Sequence, residues 1–458
     1  MTNTADLDGS STQTVIFTVV TKNHFHYAVA LEKNVRRYNR DAKFVIVVAD
    51  LDDPTIDVGQ SPRCASSPAF ASASDNPMPW LAPQHCQWND ALRNLDHCRV
   101  LLAGSDVCEF PFLRLAFQYT ALELTCALKS QAAGYFLRQG YSRLLYLDAD
   151  VRIFSSTEKL LSELHDTGGI LLTPHYFQAL PSDGRFPNNI DILRCGAFNA
   201  GIIGFQDQMI NAGKDQCGYD QVICGKTIEF VRWWTQCCQH QCIVDPHDGV
   251  FVDQKWLDQA PALFPETLVS RDPGINVGYW NLHERDLSLD PQTGAPKVLC
   301  KGVTSDLKAF HFSGVNRDEP GKLSRHQNRH KVARMNILAN LLQDYLASLC
   351  DESAIHYQSL PYGYCQLNDG TAMQDAWREV VRLHCDLQLS PSGNPFQFYA
   401  NSQAIDRLQQ MVKSIGNGRF QWRLDGMHNR IATLRKRLDR QPLRRLAKLL
   451  KNAWRPAG

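Results

Sequence analysis

The chain has 458 residues, 44% hydrophobic and 21% charged, which supplies a sizeable core and excludes global disorder. A formal net charge of +1 hides an asymmetry: residues 419–458 hold 12 Lys/Arg against 2 Asp/Glu, whereas the other 418 residues hold 36 against 45. An acidic body with a basic tail excludes a general nucleic-acid binder and assigns any anionic partner to the tail.

Residues 1–11 are polar and lack the apolar stretch of a secretory signal. The chain has no run of about 18 apolar residues, so no transmembrane helix is expected. The 15 cysteines are scattered and odd in number, which reads as reduced thiols of a cytoplasmic protein. Thr14 to Val20 (TVIFTVV) is β-branched and reads as a buried strand. His24 to Tyr38 has helical spacing, with Tyr27, Leu31 and Val35 on one face, and Lys43 to Ala49 is a second buried strand ending at Asp50. This β-α-β opening predicts an α/β protein with a mostly parallel sheet. Residues 59–90 are rich in Ser, Pro and Ala without a period, a long loop or lid. Phe112 to Phe136 reads as one long helix, and Arg143 to Leu147 as a short buried strand. Further strands are expected at Gly169–Thr173, Ala200–Phe205 and Ala309–Phe312, with a Trp-bearing helix at Lys226–Gln239. Beyond Leu323 the pattern turns helical, at Asn336–Leu349 and Met373–Cys385.

The sharpest chemical signal is Tyr146-Leu147-Asp148-Ala149-Asp150. Ligands of open α/β sheets sit outside the carboxyl ends of the strands. Two carboxylates delivered there call for a partner, and a hard divalent cation with oxygen ligands supplies one. A strand-end pair capping the next helix is the plainer alternative. Downstream stand Phe198-Asn199-Ala200-Gly201, then Asp253-Gln254, then His311-Phe312-Ser313-Gly314. These motifs, in this order over about residues 14–316, resemble nucleotide-sugar glycosyltransferases of the GT-A fold, most of all the glycogenin-like group, glycosyltransferase family 8, and related bacterial enzymes. Asn276-Val277-Gly278-Tyr279-Trp280-Asn281-Leu282 also looks like bacterial members.

The resemblance implies a Rossmann-like GT-A body at 12–325, followed by a mainly helical region at 326–418 and a basic amphipathic tail at 419–458. It implies Asp148, Asp150 and His311 as ligands of Mn²⁺ or Mg²⁺, with Asp148 also near the ribose. Gly314 would let the backbone approach the diphosphate, and Lys129 would add positive charge there. Asn199, Asp253 and Gln254 would line the donor-sugar and acceptor side. Thr18, Val19 and Asp50 would hold the nucleotide. The group usually carries a Lys soon after His-x-x-Gly; here the next basic residues are Arg317 and Lys322. The implied reaction moves a hexosyl unit from a nucleotide sugar, UDP-linked by preference, to a hydroxyl of a glycan or lipid-linked acceptor, with retention of configuration.

Each residue has a plainer reading as well. His311 suits a core histidine between Phe310 and Phe312, Asn199-Ala200-Gly201 a turn, and Asp253 a cap on the helix bearing Trp256 and Leu257. Two rival functions remain. One is a haloacid-dehalogenase-like phosphatase with Asp148 as nucleophile and Asp248 or Asp253 as its later acid, although that family places its nucleophile on its first strand. The other is a glycan- or nucleotide-binding module without catalysis. Cys237, Cys238, His240 and Cys242, with Cys217, Cys224 and His247, raise structural zinc, but only one C-x₂₋₄-C pair is present. In 425–454, Leu434, Leu438, Leu446 and Leu450 share a helical side flanked by Arg and Lys, and Trp454 ends the segment. Such a helix suits the inner face of an anionic membrane, giving a peripheral cytoplasmic enzyme, or a partner protein.

Overall fold

A computed structural model describes residues 14–40, 43–50, 98–104, 107–164, 168–207, 211–214, 220–222, 225–246, 248–332, 336–350, 352–383, 394–400 and 403–414. The 59–90 loop, the 425–454 tail, and Cys217, Cys224 and His247 lie outside them.

A seven-stranded sheet forms the centre. Its strands are β1 (Thr14–Val20), β2 (Lys43–Val48), β3 (Cys98–Leu102), β4 (Arg143–Leu147), β6 (Gly169–Pro174), β7 (Phe198–Gln206) and β8 (Thr267–Val269). Their spatial order is β8-β6-β7-β4-β1-β2-β3. β1 runs parallel to β2 and β4, and β7 runs antiparallel to both β4 and β6. The α/β class and the mostly parallel sheet therefore match the sequence reading. The strands at β3 and β8 were not expected from it.

Alternation along β1 explains why both faces are covered. Val15, Phe17 and Val19 enter one core, and Ile16 and Val20 enter the other. On the second face lies α1 (Phe25–Tyr38), through Phe25, Ala28, Leu31 and Val35. On the first lies α3 (Ala121–Arg138), where Phe136 meets Phe17 at 5.1 Å.

The single helix expected over Phe112–Phe136 is two, α2 (Phe112–Gln118) and α3. Thr120 breaks it by forming a capping box: its hydroxyl accepts from the Glu123 N–H, and the Glu123 carboxylate accepts from the Thr120 N–H. The carbonyls left open at the end of α2 are taken by an arginine from far along the chain. Arg378, on α8 (Asp375–Leu383), donates to the carbonyls of Ala116, Phe117 and Tyr119, and through its other nitrogen to Tyr364. Residues beyond 325 thus pack into the sheet's own core: Tyr364, Trp377, Phe396 and Tyr399 are buried with Phe112 and Phe117. The N–H of Gly363 donates to Asp50 at the end of β2.

One further strand pair positions the site. β5 (Val151–Ile153) pairs antiparallel with β12 (Ala309–His311), His311 standing opposite Val151. Between them in sequence lies a three-stranded antiparallel sheet of β9 (Asp286–Leu289), β10 (Pro296–Cys300) and β11 (Val303–Asp306).

Candidate metal and donor site

The carboxyl end of β4 meets the amino end of β7 because the two run antiparallel. The Asp148 N–H accordingly donates to the Gly201 carbonyl at 2.8 Å. The register between β6 and β7 shifts between Leu172 and Thr173, an irregularity of the kind that re-aims side chains beside active sites. β12 then brings His311 alongside, and the Phe312 N–H donates to the Asp150 carbonyl at 2.9 Å.

Three ligand-type groups converge here. His311 Nε2 is 2.9 Å from Asp150 Oδ1 and 3.8 Å from Asp148 Oδ2. One ligand atom from each of Asp148, Asp150 and His311 lies within 4.8 Å of the others; among the described residues no second such group of three occurs. Two carboxylates and an imidazole make a donor set suited to a borderline-hard divalent ion. Phe310 and Phe312 turn into a separate apolar cluster, so the alternation expected around His311 is observed.

The tautomer of His311 follows from the backbone. Asn199 Oδ1 accepts from the Gly201 N–H at 3.0 Å, which fixes that atom as the oxygen. His311 Nδ1 lies 3.2 Å from it and 3.3 Å from Asn276 Oδ1. Facing two acceptors, Nδ1 carries a hydrogen, and Nε2 is the nitrogen presented to the acids. Asn276 is itself oriented by donating to Thr173 Oγ1 and Asn199 Oδ1, and it adopts a φ of 54°, rare for a residue with a side chain. The Trp280 ring stands edge-on to His311 at 5.2 Å. Gly201 leaves the space His311 occupies: a Cβ there would lie 2.3 Å from the imidazole Cε1.

Beside the Asp148–Asp150–His311 group lies a buried charge cluster. Lys129 Nζ is 3.1 Å from Asp148 Oδ1 and 3.4 Å from Asp253 Oδ2, and it donates to the Ala200 carbonyl. The Tyr146 hydroxyl donates to Asp148 Oδ1. Burial works against the ammonium, but the two carboxylates hold Lys129 well above its ordinary range. Burial raises Asp253, with Lys129 opposing. His311 is raised: burial opposes its charge, and Asp150 more than compensates. Asp150 is lowered, burial again opposing and His311 prevailing.

Asp253 does not cap the short helix Lys255–Gln259, whose first position carries no side-chain cap. Gln254 Oε1 accepts from the Ala200 N–H at 2.9 Å while its amide donates to the Cys195 carbonyl. Asn199, Lys129, Asp148, Asp150, Asp253, Gln254 and His311 are thus brought together. Thr18 and Val19 are buried within β1, the Thr18 hydroxyl lacking a partner. Asp50 accepts from the N–H groups of Lys22 and Gly363. Gly314 has a φ of 73°, and a Cβ on it would strike His326 and Ser324. Asp248 stands in an exposed turn, its N–H on Asp245. The Cys237–Cys242 run closes α5 (Lys226–Gln241), where burial pushes Cys237 up to about 11 and raises Cys242 well above its ordinary value, so the two pack there as neutral thiols.

Tyr146, Asn276 and Trp280 were assigned no role from sequence. Asn276 and Trp280 lie in the Asn276–Leu282 segment that already resembled bacterial enzymes, and Tyr146 sits two residues before Asp148, on the same side of the strand.

No protein-family profile matches the sequence. The chain is 29% identical over 174 residues to the uncharacterized protein YfnF of Bacillus subtilis (strain 168), a match covering 38% of this chain and 49% of that protein. The chain therefore spans about half the length of this curated relative. Among solved structures, it is similar to the galactosyltransferase LgtC in complex with donor and acceptor sugar analogs, at 15% identity and a TM-score of 0.34 over 75% of this chain and 99% of that one. It is also similar to the glycosyltransferase GlyE of Streptococcus pneumoniae TIGR4, at 12% identity and a TM-score of 0.35 over 76% of this chain and 62% of that one.

Proposed function

We propose that the chain is a metal-dependent GT-A glycosyltransferase that moves a hexosyl unit from a nucleotide sugar, UDP-linked by preference, to a hydroxyl acceptor on a glycan or lipid-linked precursor. The observation that carries this reading is the convergence of Asp148, Asp150 and His311 at the end of the central strand β4. These three residues would hold Mn²⁺ or Mg²⁺, and the mixed oxygen and nitrogen set favours Mn²⁺. Such an ion, when bound, neutralises charge on a leaving diphosphate.

The chain's own groups do the remaining work. Asn199 and Asn276 hold the His311 tautomer, and Tyr146 and Lys129 fix the Asp148 carboxylate. Asp253 and Gln254, anchored on Lys129 and Ala200, would border the donor sugar. Arg317 and Arg325 act electrostatically on Tyr27, as Asp150 does, and would offer positive charge to the diphosphate beside Gly314. Thr18 and Val19 would border the nucleotide end, with Asp50 shaping it through Lys22 and Gly363. Retention of configuration accompanies the family resemblance. The basic segment 425–454 would bring the enzyme to the anionic inner face of a membrane, where a lipid-linked acceptor resides.

The test is release of free nucleotide from a panel of nucleotide sugars, with Mn²⁺ and with chelator. Metal-dependent release supports the reading. Nucleotide binding without turnover, with or without acceptor, favours a binding module. Release of inorganic phosphate from simple monoesters, lost in Asp148→Asn, favours the phosphatase.

A further inference from the structure

Among the described residues, three of the eleven large hydrophobic side chains left exposed fall between 186 and 193: Phe186 at 43%, Ile190 at 55% and Leu193 at 66%. Ile190 and Leu193 share one side of α4 (Asn189–Cys195), and Phe186 stands just ahead of its Asn188 cap. We propose that this face is a membrane-docking surface, the three side chains entering an anionic bilayer while the basic groups around them meet lipid phosphates. The attachment needs neither the 425–454 segment nor a particular reaction at the metal group.

The face is stiff. Asn188 and Asp191 form a capping box on α4. Arg329, buried, donates to the carbonyls of Pro181, Arg185 and Pro187 and pairs with Asp183 at 2.8 Å. Asn328 grips the Phe186 backbone twice: its Oδ1 accepts from the Phe186 N–H at 2.9 Å, and its own N–H donates to the Phe186 carbonyl at 3.0 Å. Side chains held in place beforehand lose little freedom on insertion. The charges complement an anionic surface. Asp183 is committed to Arg329 and Asp191 to the cap, whereas Arg185 and Arg194 are exposed and reach those acids only at 3.9 and 4.0 Å. The stretch 322–331, which holds Phe186 through Asn328 and leads toward α6 (Asn336–Ser348), carries Lys322, Arg325, Arg329 and Lys331 and no acid. Apolar groups alone would suit a second copy of the chain equally; the surplus of outward positive charge favours the bilayer. The other side of α4 leads to the site, since Ile192 is buried with Trp280, whose ring meets His311. Docking here therefore holds the metal group close to the lipid surface.

The experiment is sedimentation of the full chain with vesicles of phosphatidylglycerol and phosphatidylcholine in equal parts. Phe186→Ser/Ile190→Ser/Leu193→Ser should weaken partitioning at least about tenfold. Leu263→Ser/Leu299→Ser/Ile355→Ser trims three exposed side chains elsewhere, Ile355 lying on α7 (Glu352–Ser359), and should leave partitioning within about twofold of wild type. Circular dichroism checks that each variant is folded, and light scattering reads the mass in solution. Equal partitioning of wild type and the 186–193 variant, or an equal loss in the control, overturns the proposal and leaves the tail and glycosyltransferase readings standing. No partitioning by wild type overturns it together with the membrane role of the tail. A wild-type dimer that the 186–193 variant splits, with partitioning unchanged, gives the face to a second copy and likewise overturns it.

Discussion

His311 and Asn199 show what single side chains contribute. A ligating imidazole must present one particular nitrogen, and here a backbone N–H at Gly201 orients Asn199, which in turn orients the ring. Replacing Asn199 by Leu should lower Mn²⁺ affinity by about 10–100-fold, the usual cost of losing an outer partner of a metal ligand; titration calorimetry reads it, and an unchanged affinity would remove Asn199 from this role. The pH dependence follows from the same pair. His311 is raised above 6.5 by Asp150, so its contribution to metal-free stability is complete below that value and is lost as pH rises through its higher folded value. Asp150 is lowered below 3.8, so its contribution is present above that value and is lost as pH falls through its lower folded value. The metal-free protein should therefore gain most from the pair between about pH 4 and 6.5, and His311→Ala should lower its melting temperature most there. Because a metal must displace the proton from Nε2, Mn²⁺ affinity should climb with pH until His311 has lost that proton, and level off beyond. A pH-independent affinity would contradict the assignment of His311 as a ligand.

At the scale of elements, the legible features were those written in local pattern. β1, α1, β2 and β4 carry their own periodicity, and Asp148-Ala149-Asp150 follows β4 directly. The break between α2 and α3 was legible in part, since Thr120 and Glu123 have capping-box spacing, but the apolar period ran across it. What finishes α2 is Arg378, more than 250 positions later, and local pattern gives no sign of such a contact. Asn276 was hidden for the same reason, since its partners Thr173, Asn199 and His311 come from three other segments. Arg378→Ala should cost at least about 3 kcal/mol, because it strands several buried carbonyls at once. Chemical denaturation measures this, and a loss below about 1 kcal/mol would show that water or a neighbour replaces the guanidinium.

At the scale of the whole molecule, the C-terminal helices and the sheet share one core, so the chain past residue 325 belongs to the structure that frames the site. Among the described residues no helix is long and apolar enough to cross a membrane. The positive charge of 419–458 stands against the negative balance of the rest, which gives surface attachment an electrostatic basis. Deleting 425–458 should weaken sedimentation with anionic vesicles, most at low salt, and should spare donor hydrolysis. Equal sedimentation of truncated and full-length chains would end the membrane proposal for this segment and leave the catalytic one untouched.

The central claim is that Asp148, Asp150 and His311 share one divalent ion. Electron paramagnetic resonance titration of Mn²⁺ tests it most directly, on wild type, Asp150→Ala and His311→Ala side by side. One tightly bound ion per chain in wild type, weakened at least about 100-fold in each variant, is the predicted result; wild-type binding in both variants, or none in wild type, would contradict it.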